Sequence, residues 1–236
     1  MTDSNMSDRT FEKGGKQYVR DAVGNALEIK YGLPGVVKYC KRCVISNQRP
    51  SSAVEFKHTK NSKKSTIRFD EDGICDACRF AERKNHLVDW EARRAHLTEL
   101  CDRFRSRNGS YDCLVPGSGG KDSIYAAMMV KREFDMHPLT VTWAPHLYSD
   151  VGWYNLQAWL HKGGFDNYLF TPDGQVHRKL TRLAFRNLLH PFQPFIFGQK
   201  NYAPKMAVKM GLPLVFYGEN EAEYGNPVKD NDSAKR

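Results

Sequence analysis

The chain has 236 residues, of which 40% are hydrophobic, 12% aromatic and 27% charged. These proportions are typical of globular proteins, and they exclude a disordered, collagen-like or membrane-embedded chain. Lysine and arginine outnumber aspartate and glutamate by 36 to 27, giving a formal net charge of +9. This charge favours an anionic ligand or partner without choosing between nucleic acid, a nucleotide and an acidic sugar.

The N-terminal residues 1–37 are polar and contain several glycines. They show no sustained helical or alternating pattern, so we expect a loosely ordered polar extension. They also lack the apolar stretch of a signal peptide, and no later run reaches the about 18 apolar residues that span a bilayer. The sequence therefore predicts a soluble, cytoplasmic protein with no membrane partner.

Residues 38–80 contain two CxxC pairs, Cys40 with Cys43 and Cys75 with Cys78. Four thiolates in two such pairs are typical of a tetrahedral Zn²⁺ site, and Gly73 stands before the second pair, where a tight turn is needed. The spacing predicts a small zinc-ribbon-like module with Zn²⁺ as its metal. A redox dithiol, which would require only one pair, or a set of unrelated cysteines is the alternative. The basic, polar residues between the pairs are interpreted as a solvated loop, with a nucleic-acid contact as the alternative.

Apolar residues recur at mostly helical spacing through residues 81–108, which predicts one or two linking amphipathic helices. From residue 109 the pattern changes to short apolar runs that alternate with longer helical stretches. Strands are predicted at 111–115, 139–143, 168–170 and 213–217, and helices at 123–134, 152–161, 176–189 and 201–210. Repeated strand–helix units predict an α/β domain with a doubly wound parallel sheet over residues 109–236.

A glycine-rich segment, GSGGKDS at 117–123, connects the first predicted strand of this domain to the first helix. A turn of this kind places unpaired helix-start N–H groups and the positive end of the helix dipole where an anion can approach the backbone. Asp122 follows the Gly-Lys pair, where a Walker loop requires Ser or Thr and a dinucleotide fingerprint requires Gly. Neither of those motifs is therefore present. An ordinary Gly/Ser turn is the alternative interpretation.

The same segment resembles the SGGxDS loop of the N-type ATP pyrophosphatases, or PP-loop enzymes, which have a Rossmann-like fold of the adenine nucleotide alpha hydrolase type. The resemblance implies that ATP is a cofactor and that the loop holds its pyrophosphate. Lys121 stands at the variable position of the motif, so its phosphate contact is expected from its charge alone. The expected ATP-binding residues are Ser118, Gly119, Gly120, Lys121, Asp122, Ser123 and, bordering the adenine, Thr142 and Trp143. A core position for Trp143 is the alternative.

A longer resemblance covers residues 38–227. The two CxxC pairs, SGGKDS, LTVTWAPHLYSDVGWYN, HRKLTRLAFRNLLHPFQPFIFGQKN and LVFYGENEAEYGNP together closely resemble the N-acetyl sugar amidotransferase family. Members use ATP and ammonia to convert an acetamido group into an acetamidino group in bacterial lipopolysaccharide O-antigen or pseudaminic-acid biosynthesis. The resemblance implies a ligase-type enzyme that forms AMP through an adenylated intermediate. It does not identify the sugar.

Four residues are candidates for the chemistry of this reaction. Asp122 lies in the loop, and Glu219, Glu221 and His146 are candidates to accept a proton from incoming ammonia. The carboxylates after the last predicted strand also fit Mg²⁺, which takes one or two carboxylates together with phosphate oxygens; a solvated acidic loop is the alternative. A group of basic residues faces either a substrate anion or solvent: Arg178, Lys179, Arg182 and Arg186.

No residue here is placed to generate ammonia, since residue 2 is Thr and no GxCxG nucleophile elbow occurs. The resemblance therefore implies a separate glutaminase subunit as a partner. Family members usually continue beyond the length of this chain, which implies a C-terminally truncated domain. Two other functions stay open: a tRNA-modifying PP-loop enzyme, which the net charge and zinc module favour, and a non-catalytic zinc-binding assembly protein. Nucleic acid is otherwise not expected as a partner.

Overall fold

A computed structural model describes residues 10–20, 24–30, 32–49, 59, 61–62 and 65–219. The chain divides into two compact units, one formed by Met1–Asp89 with Glu221–Arg236 and the other by Trp90–Asn220. Within the described ranges, none of the helices has both the length and the apolar character needed to cross a bilayer.

The first unit contains a small antiparallel sheet in the segment that was expected to be loosely ordered. Its strands are β1 (Thr10–Lys13), β2 (Lys16–Arg20) and β3 (Ala26–Glu28), in the order β1-β2-β3. Gly14 and Gly15 form the β1–β2 turn with φ of 59° and 73°, as a two-residue hairpin with right-handed strand twist requires. Most side chains of these strands are exposed, so the sequence has no apolar–polar alternation to indicate them.

The first unit also contains the cysteine segment and helix α1 (Asp76–His86), which begins directly after Cys75. The predicted linking region 81–108 therefore contains the end of this helix and the whole of the next one. The second of them, α2 (Trp90–Phe104), belongs to the other unit.

The second unit is an α/β domain built on a parallel sheet, which confirms the fold class expected from the alternating pattern. Its strands are β4 (Cys113–Pro116), β5 (Pro138–Trp143), β6 (Asn167–Phe170) and β7 (Leu214–Val215). The helices that connect them are α3 (Lys121–Arg132), α4 (Asp150–Gly163), α5 (Gly174–Leu188) and α6 (Gln193–Met210). Helix α6 begins earlier than predicted. Pro194 lies in its first turn, where a backbone N–H would make no hydrogen bond within the helix, so proline does not end the helix there.

Helices pack on both faces of this sheet. Cys113 and Val115 of β4 are buried with residues of α2, α3 and α4, whereas Leu114, between them, is buried with Ala203 and Ala207 of α6. Successive strand side chains point to opposite faces, so this alternation places one core on each side. Buried runs of this kind are expected for strands that are covered on both faces.

The strand order β6-β5-β4-β7 contains a reversal at β4. The chain first adds β5 and then β6 on one side of β4, and it returns through α5 and α6 to add β7 on the other side. All three strand pairs are parallel, so the carboxyl ends of the strands share one edge. Open α/β sheets bind ligands in the crevice at such a reversal, beyond the carboxyl ends of the strands.

Candidate functional site

The glycine loop lies at this reversal, between the end of β4 and the start of α3. Gly119 has φ of 85°, and a Cβ at this position would lie 2.6 Å from the backbone nitrogen of Leu156 in α4. Gly117 is also confined, since its Cβ would lie 2.6 Å from Ser123 Oγ. Both glycines therefore allow the loop to pack closely on its neighbours, which no larger residue permits without displacing them.

Gly120 differs from these two because the space beside it is open. A Cβ at Gly120 would meet no heavy atom of the described residues within 4 Å. Gly120 is the N-cap of α3 in an extended conformation, and no side chain among the described residues caps the helix start there. The start of α3 is therefore open on the side of Gly120, and helix starts with uncapped N–H groups are the arrangement that binds anions.

The remaining loop side chains are polar and accessible. Lys121 Nζ lies 2.7 Å from Asp122 Oδ1, with side-chain exposures of 87% and 40%. Ser118 is exposed, and the Ser123 hydroxyl donates to the carbonyl oxygen of Gly120 at 3.0 Å. The six residues of the predicted ATP loop thus lie together at one end of the sheet, with a cation, an anion and two hydroxyl groups.

The segment after β7 packs against the same helix start. A Cβ on Gly218 would lie 2.5 Å from the carbonyl carbon of Asp122 and 2.6 Å from the backbone nitrogen of Ser123. Glu219, the next residue, is exposed. One of the predicted carboxylates, Glu219, therefore lies in a segment that packs beside the loop. Glu221 lies outside the described residues.

The predicted adenine-bordering residues are packed within the domain. Asn167 Nδ2 donates to the buried Thr142 Oγ1 at 3.1 Å. The half-buried Trp143 indole lies on Gly198 of α6, where a Cβ would come within 2.1 Å of the ring, and it stacks on Phe170 with centroids 4.8 Å apart. Its buried Nε1 has no hydrogen-bond partner within the described part of the chain. These contacts are those of a packing residue at the end of β5.

His146 follows β5 and contacts residues that the sequence analysis did not identify. Its Nε2 lies 3.1 Å from Thr181 Oγ1, and its ring stacks on His177 with centroids 4.4 Å apart. Thr181 and His177 are four residues apart on α5 and so lie on the same side of the helix, but nothing in the sequence links that side to His146. The four predicted basic residues of α5 are all exposed, as expected for a solvated helix face.

The four cysteines of the first unit converge, as the two CxxC pairs predicted. All four Sγ atoms lie within 4.8 Å of one another. The Cys40–Cys78 and Cys43–Cys75 sulfur distances are 3.9 Å and 3.6 Å. These distances are too long for disulfides. They lie close to the about 3.8 Å between sulfurs that bind one Zn²⁺ tetrahedrally at about 2.3 Å. The cluster can therefore hold a metal ion such as zinc.

Backbone N–H groups surround the sulfur atoms. The N–H groups of Arg42 and Cys75 donate to Cys40 Sγ at 3.3 Å each, and that of Cys78 donates to Cys75 Sγ at 3.4 Å. Burial raises the pKa of Cys40, but the backbone N–H groups of Cys43, Cys75 and Arg42 outweigh it and lower the pKa to about 6. Hydrogen bonding to Cys43, followed by burial, raises the pKa of Cys78 to about 12. N–H donors of this kind favour thiolate, the form that binds metal.

The two cysteine pairs are joined through the backbone. The N–H of Lys41 donates to the carbonyl oxygen of Gly73 at 3.1 Å, and Gly73 has φ of 78°, a conformation that favours glycine. Asp70 accepts from the N–H of Ile74 at 2.8 Å and pairs with Arg79 at 2.8 Å. These contacts fix the turn before the second pair.

Cys101 and Cys113 lie apart from this cluster and are both buried in the second unit. Burial raises the pKa of each thiol above its ordinary value. Neither thiol therefore has the exposed, lowered-pKa environment of a reactive cysteine.

Comparison with known protein families finds no family model that matches the chain. An uncharacterized protein of the archaeon Methanocaldococcus jannaschii is 30% identical over 84 residues, which is 36% of this chain. The match spans 29% of that relative's length. The chain is thus similar to this protein over about a third of its own residues, and the similarity assigns no activity.

Proposed function

We propose that the chain is an ATP-dependent, AMP-forming amidotransferase that converts an acetamido group of an N-acetyl sugar into an acetamidino group. The observation that carries the proposal is the glycine loop at the strand-order reversal, which opens beside Gly120 onto the first turn of α3. Its sequence resembles the PP-loop, and the longer resemblance to N-acetyl sugar amidotransferases supplies the substrate class. Bacterial surface-glycan biosynthesis, in the cytoplasm, is the proposed setting.

The loop residues are assigned to the phosphates of ATP. Backbone N–H groups at the start of α3, with Ser118 and Lys121, stabilise the charge that builds on pyrophosphate as it leaves, and the Ser123 hydroxyl joins them when it turns away from the carbonyl oxygen of Gly120. Asp122 pairs with Lys121 and orients that cation. Glu219, in the segment packed beside the loop, offers a carboxylate to Mg²⁺ together with phosphate oxygens.

The proposed reaction has two steps. The amide oxygen attacks the α-phosphorus of ATP, the bond to pyrophosphate breaks, and an O-adenylated imidate forms that keeps the amide N–H and is therefore cationic. Ammonia then adds to the imidate carbon and gives up a proton, and the carbon–oxygen bond breaks to release AMP and the amidine. His146 and Glu219 are the described candidates for accepting that proton. A separate glutaminase subunit supplies the ammonia.

The four cysteines are assigned to a structural Zn²⁺. Four protein ligands fill a tetrahedral zinc site, so it keeps no open position for substrate or water. Cys40, Cys43, Cys75 and Cys78 would hold the ion, and the metal would stabilise the fold of the segment around them.

A tRNA-modifying PP-loop enzyme is the second candidate, which the net charge of +9 favours. Sulfur-transferring members need reactive cysteines in the α/β domain. The described cysteines of that domain, Cys101 and Cys113, are buried thiols with raised pKa values, which argues against sulfur transfer. A non-catalytic zinc-binding assembly protein is the third candidate.

The distinguishing experiment incubates the protein with ATP, Mg²⁺ and ammonium, and adds either acetamido-sugar nucleotides or total tRNA. The amidotransferase proposal expects AMP and pyrophosphate only with the sugar nucleotides. AMP formed only with tRNA supports the second candidate, and release of ADP contradicts any PP-loop mechanism. Zinc binding without nucleotide cleavage supports the third.

A further inference from the structure

His146 is exposed, and aromatic rings lie on several sides of it. It stacks on His177 at an interplanar angle of 20°, and its ring centroid lies 5.8 Å from those of Phe192 and Phe195. These rings belong to α5 and to the region where α6 begins. Ring packing and the hydrogen bond to Thr181 therefore both orient the imidazole.

The direction of that hydrogen bond follows from the other bond that Thr181 makes. The Thr181 hydroxyl donates to the carbonyl oxygen of His177, one helical turn earlier, at 2.8 Å. A hydroxyl group has one hydrogen to donate, so its oxygen is an acceptor toward His146. Nε2 of His146 must then be the donor, and a neutral ring with its proton on Nε2 has a free lone pair on Nδ1.

His177 provides the ring on which His146 stacks. It is 8% exposed, and its buried Nε2 has no partner among the described residues. Burial, and then the nearby His146, lower the pKa of His177, so its ring is neutral at neutral pH. The neutral His177 ring fixes the plane of His146 and places no charge beside it.

We infer that Thr181 and His177 are positioning residues that hold His146 with its proton on Nε2, leaving Nδ1 as the atom that accepts a proton. This inference rests on the proposed function, in which His146 takes the proton released by ammonia. Thr181 supplies the acceptor that fixes the ring tautomer, and His177 supplies the surface that fixes the ring plane. A third group that orients a base is a recurrent feature of proton-transfer sites.

The first test observes the ring directly and requires no turnover. Nitrogen–proton NMR correlation of the full chain with labelled histidine is expected to show an Nε2-bound proton on His146 that exchanges slowly with water. Thr181→Ser keeps the acceptor and the signal, whereas Thr181→Val loses the signal to exchange. Thr98→Val is the matched control, because Thr98 makes the same bond to a carbonyl one turn earlier, in α2, at 2.9 Å. An Nδ1-bound proton in the wild type, or an unchanged signal in Thr181→Val, overturns the inference.

The second test measures ammonia-dependent amidine formation in the same variants. Misorienting a catalytic group costs about 10- to 100-fold in rate, so Thr181→Val is expected to lose that much kcat at unchanged ATP affinity. Thr181→Ser and Thr98→Val should stay close to wild type. Equal rates for Thr181→Val and wild type overturn the positioning role. A wild-type protein that forms no AMP contradicts the proposed function instead, while the ring signal still decides how His146 is held.

Discussion

Two adjacent glycines in the loop after β4 have different structural roles. Gly119 is in the left-handed region and packs on the backbone of α4, whereas Gly120 faces open space. We expect Gly119→Ala to lower the free energy of unfolding by about 2 kcal/mol or more, because both its φ and its contact become strained. Gly120→Ala should cost at most about 1 kcal/mol, the usual effect of a poorer N-cap.

Comparing the two variants distinguishes an effect on folding from an effect on ligand binding. Gly120→Ala adds a methyl group where phosphate is proposed to approach the backbone, so ATP affinity should fall by about 1–3 kcal/mol. Urea unfolding and calorimetric titration with ATP measure the two effects. Unchanged ATP binding in Gly120→Ala argues directly against the phosphate site, whatever Gly119→Ala does to stability.

The cysteine cluster predicts one metal ion per chain. Protein purified without chelator is expected to contain about one zinc, and Cys40→Ser and Cys78→Ser should lose it, because a tetrahedral thiolate site does not tolerate loss of a ligand. Cys101→Ser is the matched control, since Cys101 lies outside the cluster and the variant should keep its zinc. Elemental analysis measures the content, and full retention in both cluster variants contradicts the assignment.

Sequence spacing was enough to predict the cysteine ligands but not the histidine contacts. Each CxxC pair brings its two sulfurs together by its own local turn, and the backbone hydrogen bond from Lys41 to Gly73 joins the two pairs. His146 and His177 meet only because the segment after β5 lies against α5 in the folded domain. No local pattern records such a contact, and the Thr181 hydrogen bond depends on the same packing.

Helix α6 packs against β5 where Gly198 contacts the indole of Trp143. We predict that Gly198→Ala destabilises the domain by about 1–3 kcal/mol, because a Cβ there would lie 2.1 Å from the Trp143 ring and overpacking of this kind forces shifts. Trp143→Leu is also expected to destabilise the domain by leaving a cavity. The double variant should cost less than the sum of the two single variants, because the methyl group partly fills the space. Urea unfolding measures all three, and strictly additive costs contradict this packing.

The four strands predicted in the α/β domain are all found, and the central β4 and β5 are short apolar runs buried on both faces, whereas β6 and β7 are more exposed. The sheet β1-β2-β3 was missed because its residues are mostly exposed and carry no period-two pattern. Its one local signal was Gly14-Gly15 between two short segments, the loop length of a tight hairpin. Apolar patterning predicts elements that bury a face, and it says little about thin surface sheets.

The position of the candidate site depends on the topology of the whole sheet, in which the chain returns to place β7 on the side of β4 opposite β5. Strand order is a property of long-range pairing, and the sequence predicted parallel strands without giving that order. The reversal puts the glycine loop in the crevice where open α/β sheets bind ligands. It also puts Gly218, which follows β7, against the start of α3. This juxtaposition makes Glu219 a candidate for the same site.

The proposed chemistry predicts where each atom of the substrate goes. An acetamido sugar with heavy oxygen in its amide group should transfer that label to AMP and none to pyrophosphate, because the amide oxygen attacks the α-phosphorus. The product loses this oxygen and gains an NH group, and it becomes cationic at neutral pH, so it should elute earlier from an anion exchanger than the substrate. Mass spectrometry of AMP measures the transfer of the label, and mass spectrometry of the sugar measures the exchange of oxygen for NH. Gly120→Ala should slow both changes together, while Thr98→Val, an exposed change in α2, should slow neither. Label that stays in the sugar, or that appears in inorganic phosphate with ADP, contradicts attack by the amide oxygen.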